Sequence, residues 1–390
     1  MPEALSHLKV LDLSRVLAGP WASQTLADFG ADVIKIEKPD GGDDTRRWGP
    51  PFMSDEEGAA TTESAYFMAT NRGKRSVCLD ITNPENREIL HKLAKDCDIV
   101  IENFKVGGAK KYGLDYQTLS AINPRLIYCS ITGFGQTGPY SHRPGYDFLV
   151  QAMGGLMSVT GEKDGVDGAG PQKVGVALTD IMTGLYATVG ILTALAEREK
   201  SGLGQHIDLA LLDVTAATLA NQATNYLVGN QVPTRLGNAH PNIVPYQSFA
   251  TSDGHCIVAV GNDDQFSRFC DVIGHPQLAT EIRFSSNQNR VQHREELIPI
   301  VEAAMLTQTR DYWLTSFEQA GVPAGPINSI DEVFNNEQIL HRQMRVNVPH
   351  PLNSELQLAG NPIKLSRTPV SYQKPPPLLG EHTQEVLNKP

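Results

Sequence analysis

Cysteine is scarce: the five residues Cys78, Cys97, Cys129, Cys256 and Cys270 nowhere show C-x-x-C spacing. That argues against a zinc ribbon or a redox pair, and an odd, scattered set predicts reduced, mostly buried thiols in a cytosolic protein. Basic charge is also in deficit, with 33 Lys and Arg against 44 Asp and Glu and a net charge of -11. Nucleic acid is therefore not an expected partner, since phosphate charge would oppose binding. Any anionic ligand has to be met by a local basic patch. The opening MPEALSHLKVLDL lacks a basic segment followed by an apolar run, so no secretory leader is predicted. The one long weakly polar stretch, 174–196, contains Asp180, four threonines and three glycines. Such a composition predicts a buried helix, not a membrane span. A soluble, cytoplasmic protein is expected, without a membrane partner.

What is present is an ordinary globular composition, 40% hydrophobic and 20% charged. The 390 residues suffice for one large and one smaller domain. Residues 8–13 (LKVLDL) read as a strand, Pro20 opens a helical stretch that stops at Gly30, and 31–37 (ADVIKIE) read as a second strand. Then come RSVCLDI as strand, PENREILHKLAKDC as helix, and DIVIENF and LIYCSIT as strands. Such alternation predicts a mainly parallel sheet with helices on both faces. Ligands of such sheets bind beyond the carboxyl ends of the strands. The loops SRVLAGP, KPDGGDDTRR, ENFKVGG and TGFGQTGP are thereby singled out. Composition shifts after Leu227; HCIVAVG reads as a strand, and helical patterns follow at 264–273, 294–306 and 311–320. The expected division is a large domain of 1–224 and 326–390 and a small domain of 225–325.

Two features bear on chemistry. Gly133-Phe-Gly135-Gln-Thr-Gly138 follows a strand and matches G-x-G-x-x-G. A dinucleotide fingerprint, however, needs a helix opening at the glycines. Here Pro139 and Arg143-Pro144-Gly145 prevent one, so the motif reads as a glycine-rich turn that matters only if it lines another kind of site. The second feature is Asp180, the only charged side chain between Lys173 and Glu197. Near the start of a helix it could be a cap or first-turn dipole partner. It could equally be a nucleophile poised to attack an acyl carbon, with the small Gly184 and Ala187 leaving room for a substrate. The residues alone leave both readings open.

This segment, together with LDLSRVLAGPWASQTLADFGADVIKIE, GDDTRRWGPPF, NRGKRSVCLDI, IENFKVGG, INPRLIYCSITGFGQTGP, GYDFLVQAMGG, SGLGQHIDLALLD and PPPLLGEHT, resembles the family III CoA-transferases over nearly the whole chain. Within that family CSITGFGQTGP, NYLVG, NIVPYQSF and PPPLLGEHT look most like the glutarate (succinate–hydroxymethylglutarate) branch. The resemblance implies an α/β fold with a Rossmann-like large domain and a smaller α/β domain, in an interlocked homodimer whose chains thread each other. It implies transfer of CoA from an acyl-CoA, such as succinyl- or glutaryl-CoA, to a carboxylic acid, with no metal or cofactor beyond CoA itself as substrate and carrier. Asp180 stands at the catalytic position, and the implied route runs through an aspartyl anhydride and an aspartyl-CoA thioester.

CoA contacts carry over by resemblance to Leu17 and Ala18 after the first strand and to Lys38 after the second. They carry over also to Asn71, Arg72, Gly73 and Lys74, as a basic loop for the adenosine phosphates, and to Asn103, Phe104, Lys105 and Lys111. Thr132, Gly133, Phe134 and Gly135 would supply backbone near the thioester, returning the glycine turn to the site. Arg46, Arg47 and His240 are candidates for the far carboxylate of a dicarboxylate substrate. The glycine-rich flap of oxalate-active members has no counterpart here, which disfavours oxalate or formate. Tyr146 stands where the 2-methylacyl-CoA racemase branch has its histidine, and the lost base disfavours racemisation. A non-catalytic CoA-binding relative is the remaining alternative, against which Asp180 counts.

Overall fold

Alternating burial within each strand shows why the chain folds as a layered α/β unit. A computed structural model describes residues 3–388. In it Val10, Ile99, Ile101, Ile127, Cys129 and Ile131 enter one apolar core. Their strand neighbours Leu11, Val100 and Tyr128 enter another. Side chains of successive strand residues point to opposite faces, so a sheet apolar on both faces must be covered on both. Six parallel strands form it: β1 (Lys9–Asp12), β2 (Asp32–Glu37), β3 (Lys74–Cys78), β4 (Ile99–Glu102), β5 (Ile127–Thr132) and β6 (His206–Ala210). Their spatial order is β3-β2-β1-β4-β5-β6, that of the doubly wound dinucleotide-binding fold. The order reverses between β1 and β4, so the loops after these strands part and leave a crevice at their carboxyl ends.

Helix α1 (Ala18–Asp28) has Pro20 in its first turn and ends before Gly30, whose φ is +100°. Helix α2 (Pro84–Asp96) is capped by Asn83 and covers the opposite face through Leu90 and Ala94. Helix α3 (Asp147–Met153) precedes the long α4 (Leu178–Ser201), which ends at Gly202 with φ +77°. The buried side of α4 carries small or β-branched residues, among them Thr179, Thr183, Gly184, Ala187 and Ile191. At Gly184 a Cβ would lie 2.7 Å from the carbonyl oxygen of Ala18, so α1 and α4 approach backbone to backbone there. The expected buried helix is therefore buried on one side only. Leu185, Tyr186, Val189 and Leu192 are 40–60% exposed on the other. By length and apolarity α4 could cross a membrane, but its small-residue side is part of the sheet's core.

The chain divides into two compact units, Met1–Leu156, Lys173–Gln231 and Glu337–Pro390 in one, Met157–Gln172 and Val232–Asn336 in the other. The second has a three-stranded antiparallel sheet, Tyr246–Ala250, His255–Ala259 and Ala324–Pro326. Helices Asp263–Val272, Arg294–Met305 and Arg310–Gln319 accompany it, around Phe249, Phe266, Phe269, Trp313 and Phe317. Segment 157–172, expected within the large domain, clusters with this second unit because Arg235 binds the Glu162 carbonyl and pairs with Asp164.

Candidate active site

Buried charge shapes the loops that follow β1 and β2. Lys35 in β2 and Lys74 in β3 are buried among Asp12, Glu37 and Asp43. The Lys35 ammonium lies 2.9 Å from Asp43 and donates to the Ser14 carbonyl at 2.9 Å. Asp43 also accepts the Val16 N–H, and Lys35 holds its carboxyl well below the usual carboxylate range. Val16 takes φ +71°, a strained conformation for a β-branched residue, and the aspartate holds it there. After β4, Glu102 accepts the Phe104 N–H at 2.7 Å, while Asn103 bonds both the N–H and the carbonyl of Arg15. The loops on either side of the reversal point are thus tied together.

Two adjoining cavities open there and share Arg15, Asp44, Phe104 and Lys105. The larger, about 530 Å³, runs past Lys38, Leu79, Ile81 and Tyr112. The second, about 350 Å³, is lined by Leu17, Ala18, Asn103, Thr132, Gly133 and, at its wall, Asp180. Arg143, Tyr146 and Trp48 also face it.

Asp180 lies in the first turn of α4, as the dipole reading expects, but the capping contact there is made by another residue. Asp147 accepts the Thr179 N–H at 2.9 Å and so supplies the capping contact at the start of α4; a second bond, from Gln151 Nε2 at 2.7 Å, fixes it. Asp180 is no cap. Among the described residues its carboxylate has no hydrogen-bond partner and faces the cavity. Burial, then the nearby Asp147 charge, push its carboxyl up to about 7. A carboxylate so perturbed and facing a cavity is a candidate functional group.

Of the residues expected at CoA, Leu17, Ala18, Asn103, Phe104, Lys105, Thr132 and Gly133 line the Asp180 cavity, and Lys38, Phe104 and Lys105 the larger one. Lys111 is exposed against the ring of Tyr112. Phe134 meets Tyr140 edge-on, and the Gly135 N–H bonds Thr132 Oγ1 at 2.9 Å. The basic loop expected at 71–74 does not exist as such. Asn71 bonds the Phe67 carbonyl, Arg72 grips Asp28 at 2.6 Å, and Lys74 is buried 3.2 Å from Asp12. Arg72 and Lys74 pair with buried carboxylates of the interior, and burial pulls the Lys74 ammonium down to about 8. Arg46 is likewise committed, stacked on Phe67 and bonded to Glu37 at 2.8 Å and Glu63 at 3.2 Å. Arg47 is exposed 3.7 Å from Asp40 and lines neither cavity. His240 belongs to the second unit, where its Nδ1 accepts the Asn242 N–H. Arg15, Asp44 and Arg143 at the cavity are not among the residues expected from sequence; Arg15 lies within the marked loop SRVLAGP and Asp44 within KPDGGDDTRR, while Arg143 lies beyond TGFGQTGP.

The fold is a doubly wound α/β sheet with a cleft at its reversal point, the place where sheets of this class bind ligands. Residues 5–383 match CoA-transferase family III, and the chain belongs to that family; it is a CoA-transferase. It is 51% identical over 383 residues to the succinate–glutarate CoA-transferase of Agrobacterium fabrum, covering 98% of this chain and 94% of that protein. It is 43% identical to the succinyl-CoA:glutarate CoA-transferase of Mus musculus, covering 99% and 86%. A crystal structure of a CAIB/BAIF family protein from Brucella suis superposes with TM-score 0.86 at 48% identity, covering 99% of each chain.

Proposed function

We propose that the protein moves CoA from succinyl-CoA or glutaryl-CoA to a dicarboxylic acid, with Asp180 as covalent nucleophile. The observation that carries this is the Asp180 carboxylate itself, free of hydrogen bonds among the described residues and raised in basicity at the wall of a cavity that adjoins a larger one. Asp180 attacks the thioester carbon and CoA leaves as thiolate, giving a mixed anhydride. The thiolate then attacks the aspartyl carbonyl, releases the first acid as carboxylate and leaves an aspartyl-CoA thioester. The acceptor carboxylate displaces thiolate to form a second anhydride, and thiolate takes the acceptor acyl group, freeing Asp180. The first turn of α1, where Pro20 has no N–H and those of Ala18 and Gly19 have no partner within the helix, stands at the cavity through Ala18. It is the natural site for developing negative charge. The larger cavity, with Lys38 and Lys105, suits the nucleotide end of CoA.

The names of the relatives supply the candidate acids, and a screen of acceptors against succinyl-CoA tests the choice. Glutarate and similar dicarboxylates are expected to outrun butyrate; equal use of both would remove the dicarboxylate assignment while leaving CoA transfer intact. The protein is further proposed to act as a homodimer with interlocked chains, a second copy covering the apolar side of α4.

A further inference from the structure

Not every charge at the Asp180 cavity is used by the transfer steps. Three cations line it: Arg15, Lys105 and Arg143. Arg15 is paired with Asp44, which also receives Lys38 at 3.2 Å. Lys105 lines both cavities and so belongs with the CoA path. Arg143 lines only the cavity that holds Asp180, and among the described residues no carboxylate lies within ion-pair distance of it.

Its side chain is exposed but rests on an aromatic ring. It stacks 4.1 Å from the centre of the Tyr140 ring, which in turn meets Phe134 edge-on at 5.8 Å. The Arg143 N–H donates to the Tyr140 carbonyl at 2.9 Å, closing the turn that carries both. Behind them the backbones of Gly133 and Gly145 touch: a Cβ on Gly133 would lie 2.5 Å from the Gly145 Cα. The loop is thereby pinned to the end of β5. A ring covering one face of a guanidinium leaves its N–H edge free, and that edge is the fork that fits a carboxylate.

We propose that Arg143 receives the far carboxylate of the dicarboxylic acid while the near one reacts at Asp180. This rests on the dicarboxylate reading above and assigns its specificity to one residue. The acid enters beside Asp180 and Asp147, so a second anionic group needs a cation to offset repulsion and desolvation. A monocarboxylate leaves the fork unpaired and gains nothing from it.

The test compares kcat/KM for glutarate and for butyrate in wild type, Arg143→Met and Arg143→Lys. Succinyl-CoA serves as donor throughout, so the first half-reaction cancels from the ratio. Because both acids are measured on one preparation, the fraction of folded enzyme cancels too. The glutarate-to-butyrate ratio is expected to fall roughly tenfold to a hundredfold in Arg143→Met, the range for losing a charge-assisted bond. Arg143→Lys should restore part of it by returning the charge without the fork. An unchanged ratio in Arg143→Met, with both acids losing equally or not at all, overturns the proposal and assigns Arg143 to CoA or to the loop. A wild-type ratio near one overturns the dicarboxylate reading first, and the role of Arg143 with it.

Discussion

At the scale of single residues the carboxylates divide by environment. Asp12, Glu37 and Asp43 are buried with cations and held below the usual range, while Asp180 is raised to about 7 by burial and by Asp147. The consequence for stability has a definite sign. Between the ordinary value near 3.8 and about 7 the folded state holds a proton on Asp180 that the unfolded state has lost. Stability therefore falls as pH rises through that window. Replacing Asp180 by Asn should stabilise the protein above pH 7, by at most about 4 kcal/mol and less where solvent reaches the carboxylate. The gain should vanish near pH 4. Thermal or urea unfolding at the two pH values measures it, and a pH-independent difference would contradict the account. Arg46 answers to the opposite logic. Removing it strands Glu37 and Glu63 in the interior, so Arg46→Ala should cost about 3–5 kcal/mol of stability. The glutarate-to-butyrate ratio of the enzyme that still folds should not move; a changed ratio with full stability would return Arg46 to the substrate.

At the scale of elements much was legible, and for a stated reason. A strand such as LIYCSIT announces itself because both faces are buried, so the apolar run is nearly unbroken, and ADVIKIE does so through its β-branched Val33, Ile34 and Ile36. β6 has no such signal: HIDLA is only five residues long, mostly half-buried, and a sheet edge paired on one side only. At the site, the loops SRVLAGP and ENFKVGG were marked by their place after β1 and β4, which the reversal of strand order makes functional. The charged loop NRGK was misjudged for a physical reason. Sequence shows that a charge exists, and only packing shows whether it faces solvent or a buried partner such as Asp28 or Asp12. Asp180 was ambiguous from its helix position, because the competitor that takes the helix N-terminus, Asp147, lies 33 positions earlier in another element.

At the scale of the whole molecule, the exposed apolar side of α4 calls for a cover. Leu185, Tyr186, Val189 and Leu192 lie on one side of a 24-residue helix, and contiguous apolar surface of this kind marks an interface. Light scattering of the purified protein should give a dimer. If the chains interlock, unfolding should depend on protein concentration with no folded monomer; a stable folded monomer on dilution would contradict the homodimer. The central claim, however, concerns a bond. Succinyl-CoA added to the enzyme without acceptor should load Asp180, and hydroxylamine should convert the loaded carboxyl to a hydroxamate. Peptide mass spectrometry then reads the position directly. The account predicts modification at Asp180, dependent on succinyl-CoA and absent from Asp180→Asn. Modification at another carboxylate, or turnover by Asp180→Ala close to that of wild type, would contradict it.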